Sequence, residues 1–254
     1  MKDVLIDRDP RFPLATLMEP TAAGFFLIAA EIDHRPPFLY RLRSRAKIAA
    51  LDAMRRAARA LATREDVTSA RLFRALLIPP GRGALLKRRP DVPVARFDVV
   101  LLVECADLGA AERLAATPEM ADLKSDLDRH ARRTLSLTAT NPARMGPVPE
   151  RGDGVYLFNW FYADDGETNL AVWKETAGWF EAVTGLRNSV PMRPRPGSDG
   201  AYTLINHCRW DSLRDILPHL ALRPSFRRYV LGTFERNGVA AMPILYRAEV
   251  LPPA

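Results

Sequence analysis

Residues 154–164, GVYLFNWFYAD, form an apolar run with the length of a β-strand, and the predicted fold follows from them. Side chains alternate between the two faces of a strand, and here both faces are apolar apart from Asn159. Residues 98–104, DVVLLVE, show the same pattern earlier in the chain. An antiparallel sheet with helices on one side normally leaves its other face to water, so strands that are apolar on both faces predict a second covering layer.

The elements predicted around these strands follow the same order twice. Residues 22–142 give strand, helix, strand, strand, helix, strand, and residues 154–254 repeat that order. A linker rich in proline at residues 143–153 separates the two, and residues 1–21 form an irregular leader. We therefore predict an α+β fold: two tandem ferredoxin-like βαββαβ units whose antiparallel sheets pack into one pseudo-dimeric α/β barrel.

Prolines mark two further features of the predicted elements. The second helix of each half is interrupted by a proline, at Pro118 and at Pro224. Residues 188–196, NSVPMRPRP, read as a strand weakened by three prolines. Because proline has no N–H to donate to a neighbouring strand, this segment is predicted to lie at a sheet edge.

The composition is that of a globular protein, with 48% hydrophobic and 26% charged residues in a chain of 254. The sequence has no apolar run of eighteen residues and no signal-peptide core, so we expect no membrane span and a cytoplasmic location. Two cysteines, Cys105 and Cys208, are too few for a disulfide scaffold and fit a reducing compartment. The four histidines are scattered, so we expect no metal site.

The net charge of +7 comes mostly from the first half of the chain. The basic residues of that half that stand closest together are Arg41, Arg43, Arg45, Lys47, Arg55, Arg56, Arg59, Lys87, Arg88 and Arg89. Such a surface would attract an anion or a nucleic acid, but it would equally be a solvated helix face. Since no nucleic-acid-binding motif accompanies the charge, nucleic-acid binding is the less favoured interpretation.

The duplicated βαββαβ order and the proline-interrupted second helix resemble the dimeric α/β-barrel superfamily. Its members include antibiotic-biosynthesis-monooxygenase-like and EthD-like families and heme-degrading branches. The resemblance covers residues 22–250, with the two halves in the place of two subunits. It implies a small ligand, often aromatic or a heme, between sheet and helices. Because the chain supplies both units, we expect a monomer that is a pseudo-dimer, or a weak homodimer if residues 189–196 pair as an edge strand.

Polar residues inside the apolar strands are the candidate site residues, since a buried polar group needs a partner or a purpose. The resembled families often have an Asn on the first strand and a Trp at the end of the third, and Asn159 and Trp210 match these positions. His207 is the candidate acid or base, with Asn159 or Asn206 holding an oxyanion. The alternative is a core histidine that is hydrogen-bonded to backbone. Alternation puts Asn206 and His207 on opposite faces, so only one of them lines a given cavity.

Aromatic residues of the second half suggest a flat ligand, although they would also serve as core. Trp160 and Tyr162 would bind a small aromatic molecule, with Arg209 as a support. The heme-degrading branch has an iron-binding His on its second helix. Phe226 and Tyr229 occupy that region here, without a His, so the sequence predicts no cofactor and leaves heme as an alternative that lacks its expected ligand.

Three functions follow from these residues. The leading hypothesis is a small-molecule enzyme, monooxygenase-like or an isomerase, that acts on an aromatic or polyketide-like substrate. The second is a protein that binds a small ligand without turnover and needs only an aromatic cavity. The third is an anion or nucleic-acid binder that uses the basic first half.

Overall fold

The computed structural model of the chain describes residues 4–5, 9–33, 36, 39–79, 85–150, 153–198 and 200–251. The strands are β1 (Gly24–Glu31), β2 (Val67–Leu77), β3 (Val99–Cys105), β4 (Arg133–Thr140), β5 (Val155–Tyr162), β6 (Ser189–Pro194), β7 (Leu204–Trp210) and β8 (Ala240–Ala248). The helices are α1 (Arg45–Leu61), α2 (Leu85–Arg88), α3 (Leu108–Ala115), α4 (Pro118–Asp128), α5 (Gly166–Thr184), α6 (Leu217–Leu222) and α7 (Gly232–Arg236). A 3₁₀ turn (Leu213–Asp215) precedes α6, and a π-helical segment (Phe226–Leu231) precedes α7.

The eight strands form one closed antiparallel barrel in the order β1-β3-β2-β8-β5-β7-β6-β4. The α+β class and the mutual cover of the strands are thereby confirmed. The edge position predicted for residues 188–196 is wrong, because β6 is paired on both sides, with β7 and with β4. Its pairing with β4 is limited to Ala139 with Pro194 and Thr140 with Arg193, as expected where a proline removes a ladder donor.

The strands β3 and β5, whose sequences are apolar on both faces, are buried on both faces. The interior of the barrel is filled by large side chains: Phe73, Phe97, Tyr156, Phe158, Trp160 and Tyr246. The outer face of β1, β2 and β3 packs against α1, α3 and α4. The outer face of β5, β7 and β8 packs against α5 and the helical turns of residues 213–236. The barrel is therefore a packed core, and the space for a ligand lies outside it.

Local side chains set where the helices begin. Ser44, Asp107, Thr117 and Asp165 each accept a hydrogen bond from a backbone N–H in the first turn of α1, α3, α4 and α5, respectively. Helix α5 is followed by Gly185, whose φ of 68° is the left-handed conformation that favours glycine at a helix end. None of the described helices has the length and apolar content to cross a membrane.

The N-terminal residues 12–16 pack against α5 and the π-helical segment. Phe12 packs against Tyr229, with ring centroids 5.3 Å apart, and the Thr16 N–H donates to Glu181 Oε2 at 3.0 Å. A Cβ added to Gly178 of α5 would lie 1.8 Å from the carbonyl oxygen of Pro13. The segment therefore touches the helix so closely that only glycine fits at position 178.

Candidate functional site

A narrow cavity lies between α5, residues 213–236 and the outer face of β5, β7 and β8. It has two lobes of about 30 Å³ each. Both lobes are lined by Leu157, Asn159, Phe180, Trp210 and Phe234. The first lobe is further lined by Met145, Phe161, Trp173, Thr176, Ala177, Leu186, Ser189, Asn206 and Cys208. Each lobe has room for about two water molecules, so a larger ligand requires its walls to separate.

The polar lining of this cavity includes two carboxamides. Asn159 on β5 and Asn206 on β7 are paired directly across the two strands. Asn159 is 9% exposed, and its Oδ1 has no hydrogen-bond partner among the described residues. A buried oxygen in that state is uncommon and destabilising unless a ligand or water supplies a donor. The cavity therefore presents an acceptor that is ready for a ligand hydroxyl.

Ser189 of β6 holds the second carboxamide in place. Its Oγ donates to Asn206 Oδ1 at 2.8 Å, and both side chains are buried. The Asn206 Nδ2 has a weak contact of 3.9 Å with Cys208 Sγ. Because the oxygen of Asn206 is already engaged, its NH₂ group is the part available to a ligand oxygen.

Aromatic side chains form the remaining walls. Trp210 is fixed by a hydrogen bond from its Nε1 to Thr184 Oγ1 at 3.0 Å, and its ring lies 6.4 Å from that of Phe180. Trp173 and Phe234 close the first lobe. A flat apolar molecule in this cavity would contact aromatic rings on several sides.

The cavity offers almost no side chain that could act as an acid or a base. Among its described lining residues, Cys208 is the one titratable group, and burial raises the pKa of its thiol. The thiol therefore stays protonated at neutral pH. The arrangement can hold and polarise a hydroxyl or carbonyl group, but it offers no side chain that would shuttle a proton.

The structure does not bring His207 together with Asn159, Asn206 and Trp210. His207 points into the barrel, where its ring stacks on Phe158 with centroids 4.3 Å apart. Its Nδ1 lies 3.2 Å from the carbonyl oxygen of Leu157. Complete burial, and secondarily the charge of Arg71, hold its pKa well below the ordinary 6.5. This geometry matches the alternative of a neutral core histidine bonded to backbone.

The remaining predicted ligand residues also lie away from the cavity. Trp160 fills the barrel interior against Phe97, with ring centroids 4.6 Å apart. The Tyr162 hydroxyl donates to Asp164 Oδ1 at 2.7 Å. The guanidinium of Arg209 pairs with two carboxylates at 2.6 and 2.9 Å. All three therefore have structural contacts in place of a ligand.

The corresponding positions of the first half are apolar. Asn159 is the fifth residue of β5 and Asn206 the third of β7, whereas Ile28 is the fifth of β1 and Leu101 the third of β3. Ile28 and Leu101 are fully buried and are paired with each other in the same way. The polar pair is thus a feature of the second half alone.

Sequence reasoning missed Ser189 and the helix α5 side of the cavity. Ser189 begins a strand rich in proline, and no local pattern links it to Asn206, 17 residues away. Trp173 and Phe180 follow helical spacing, which predicts core packing. Only the position of α5 over β5 and β7 shows that these rings also line a cavity.

Much of the predicted basic surface is neutralised by carboxylates. Lys47 is fully buried, with its Nζ 3.0 Å from Asp98 Oδ2. Three further guanidiniums, those of Arg43, Arg55 and Arg74, converge on Glu249. Arg88 and Arg89 also have carboxylate partners: Glu235, Asp91 and Asp164. The first half consequently offers less free positive charge than its sequence indicates.

Comparison with known proteins shows the fold. The sequence matches no protein-family model and no curated protein. An anthrone oxidase-like protein is similar in structure over 90% of this chain and 91% of its own, with a TM-score of 0.61 at 10% identity. A candidate monooxygenase from Fusobacterium nucleatum subsp. nucleatum covers 89% and 92%, with a TM-score of 0.53 at 11% identity. The chain therefore has the fold of dimeric α/β-barrel proteins of this kind.

The expectation that no cofactor is bound is corrected by the same comparison. Chlorite dismutases and a heme-binding protein from Thermus thermophilus are among the similar structures. The last covers 96% of both chains at 11% identity, with a TM-score of 0.43. The expectation of a chain without a cofactor is therefore withdrawn.

The residues around Asn159 nevertheless do not fit a heme. None of the described residues that line the lobes is a histidine or a tyrosine. Tyr229 directs its hydroxyl to Glu175 Oε1 at 3.2 Å. Within the described part of the chain, no cluster of His, Cys, Asp or Glu is arranged to hold a metal ion.

Proposed function

We propose that this protein is an oxidative enzyme that acts on a small aromatic or polyketide-like molecule in the cavity at Asn159. The observation that carries the proposal is the unpartnered, buried Oδ1 of Asn159 beside the carboxamide of Asn206, in a cavity otherwise lined mainly by apolar side chains. The likeness in fold to an anthrone oxidase-like protein supports the reaction class.

The two carboxamides have complementary roles in this proposal. Asn159 Oδ1 accepts a hydrogen bond from a substrate hydroxyl, while the NH₂ group of Asn206 donates to a carbonyl or enolate oxygen. Hydrogen-bond donors aimed at a developing oxyanion act strongly in a site from which water is excluded. Trp210 and Phe180 hold the ring system between them.

A balanced reaction of this type converts an activated methylene group to a carbonyl with dioxygen. The carbon loses two C–H bonds and gains a C=O bond, and O₂ supplies that oxygen while its second atom leaves as water with both hydrogens. The substrate is oxidised by four electrons, and dioxygen is reduced by four. In the first step the substrate loses a proton to a water molecule, since no described lining side chain accepts it, and a hydrogen bond from Asn206 stabilises the resulting enolate.

The cavity must widen to admit such a substrate. Its outer wall consists of side chains from α5 and from residues 213–236, including Phe180 and Phe234. These elements meet through side-chain packing, whereas the inner wall is the hydrogen-bonded sheet. Separation of the two helical elements is therefore the motion that opens the site.

We also propose that the chain is a tandem pair of ferredoxin-like units, residues 22–142 and 154–254, joined by residues 143–153. The strand orders β4-β1-β3-β2 and β8-β5-β7-β6 support this, because the same order occurs in both halves. The first unit, with Ile28 and Leu101 at the corresponding positions, has a structural role, and the second carries the site. A monomer would then contain both halves of the barrel.

Ligand binding without turnover is the second candidate. It is favoured by one observation, namely that Cys208 is the one titratable side chain among the described lining residues. Both candidates use the same cavity, so the same variants test them. They differ only in whether a bound ligand is consumed.

Oxygen consumption with anthrone as the probe substrate tests the proposal. We expect turnover by the wild-type chain and a loss of about 10²-fold in kcat for Asn206→Ala, the usual effect of removing one oxyanion donor. His207→Leu, on the opposite face of β7, serves as the control and should retain kcat. Anthrone that binds without oxygen uptake would indicate the binding protein, and equal kcat values for wild type and Asn206→Ala would exclude the proposed site.

A further inference from the structure

An open groove of about 490 Å³ lies on the outer surface of the second half, separate from the cavity at Asn159. It is bordered by the N-terminal residues Asp9 and Arg11 and by residues 223–236. Three exposed arginines, Arg223, Arg228 and Arg236, face it. Its volume falls within the range of small-molecule sites in proteins.

These three guanidiniums have no carboxylate partner among the residues that the structure describes. Arg223 donates to His219 Nδ1 at 3.3 Å, and Arg236 donates to Thr233 Oγ1 at 3.4 Å. Neither bond neutralises the positive charge. By contrast, Arg55 and Arg74 both pair with Glu249. The groove thus concentrates positive charge that the fold leaves uncompensated.

The acidic residue at the groove does not supply the missing charge. Asp9 is engaged by Arg11, with Nη2 at 2.6 Å from Oδ2 and Nε at 2.9 Å from Oδ1. The side-chain hydrogen bond from Arg11 lowers the pKa of Asp9, so this carboxylate stays ionised and paired with Arg11. The pair is neutral as a unit, and a net of about three positive charges remains.

Residues 223–236 border two different spaces, one on each side of the segment. Phe226 and Phe234 face the cavity at Asn159, while Arg223, Arg228 and Arg236 face the groove. A π-helical segment, of the kind often found at functional sites, places Arg228 on the outer side. The groove is therefore separate from the cavity in which the oxidation is proposed.

We propose that this groove binds a small molecule that carries a diphosphate group. Guanidinium groups present planar pairs of N–H donors that match phosphate oxygens, and a diphosphate has about three negative charges at neutral pH. Three unpaired arginines match that charge. The open shape leaves space beside the phosphates for the rest of the molecule.

Isothermal titration of the full chain with pyrophosphate tests the proposal. We expect saturable binding, with a dissociation constant raised about tenfold in Arg228→Gln and in Arg223→Gln. Arg227→Gln is the matched control, because Arg227 is exposed on the same segment but does not line the groove. This variant should stay within about twofold of the wild type.

Four outcomes would overturn the proposal. They are the absence of pyrophosphate binding to the wild-type chain, an equal effect of Arg227→Gln and Arg228→Gln, citrate binding as tight as pyrophosphate, and tighter binding of a single-stranded oligonucleotide. The second would mean that net charge alone attracts anions, and the third that carboxylates serve as well as phosphate. The fourth would identify a nucleic-acid surface.

Discussion

Asn159 and Asn206 face each other across β5 and β7, yet their carboxamide oxygens are in opposite states: that of Asn206 accepts from Ser189, and that of Asn159 has no partner among the described residues. The satisfied member is held in one orientation. The Oδ1 of Asn159 is buried without a hydrogen-bond donor, so it lowers the stability of the fold until a ligand supplies one. This asymmetry is the expected cost of a prepared binding site.

The asymmetry predicts that Asn159→Leu makes the protein more stable while removing its ligand affinity. Leucine buries no unpaired oxygen in the apolar cavity, so we expect the free energy of unfolding to rise by about 1 kcal/mol in urea titrations. The reciprocal change in the first half, Ile28→Asn, should lower it by about 2–4 kcal/mol, because a carboxamide then enters a fully packed site. A marked loss of stability in Asn159→Leu would contradict this account.

Ser189→Ala should release Asn206 from its fixed orientation. Since the lost donor leaves a buried oxygen unpaired, the free energy of unfolding should fall by about 1–3 kcal/mol. Asn206→Ala in the Ser189→Ala background should then cost less than it does in the wild type. A double-mutant cycle measured by urea denaturation gives the coupling, and additive effects would show that the 2.8 Å hydrogen bond contributes nothing.

Gly178→Ala tests the contact between the N-terminal segment and α5. The added Cβ would meet the Pro13 carbonyl oxygen at 1.8 Å, so one of the two elements must shift, and we expect a loss of about 1–3 kcal/mol. Gly166→Ala is the matched control in the same helix, because no atom lies within 4 Å of its added Cβ. That variant should be neutral or slightly stabilised, since alanine favours a helix. Thermal unfolding of both variants distinguishes a contact effect from a general helix effect.

His207 predicts how stability depends on pH. Its pKa in the folded state lies well below 6.5, so below that pH the unfolded chain takes up a proton that the folded chain does not. Stability from this residue is complete above pH 6.5 and falls as the pH decreases, by up to about 1.4 kcal/mol per pH unit. His207→Leu should remove this part of the slope in urea titrations between about pH 5 and 6.5. An unchanged slope would mean that His207 is charged inside the barrel.

Sequence patterns predicted the architecture because burial leaves a direct mark on a strand. Residues 98–104 and 154–164 are apolar on both faces, so both faces of these strands must be buried. This requirement predicted the barrel that the structure shows. Alternation also predicted that Asn206 and His207 lie on opposite faces of the strand, as the structure has them. These are properties of a few consecutive residues, so they can be read without knowing what lies across from them.

Which face of a strand packs against the helices and which face fills the barrel depends on how the whole elements pack together. From the sequence, His207 was predicted to lie in the site, because alternation shows only that it lies opposite Asn206 and not which face lines a cavity. In the structure His207 lies inside the barrel, where Phe73, Tyr156 and Phe158 pack around it. The partners of the basic residues and the link from Ser189 to Asn206 likewise join positions far apart in the chain. Such contacts arise from the packing of whole elements, and the free energy that selects them is distributed over many residues, so no short stretch of sequence carries it.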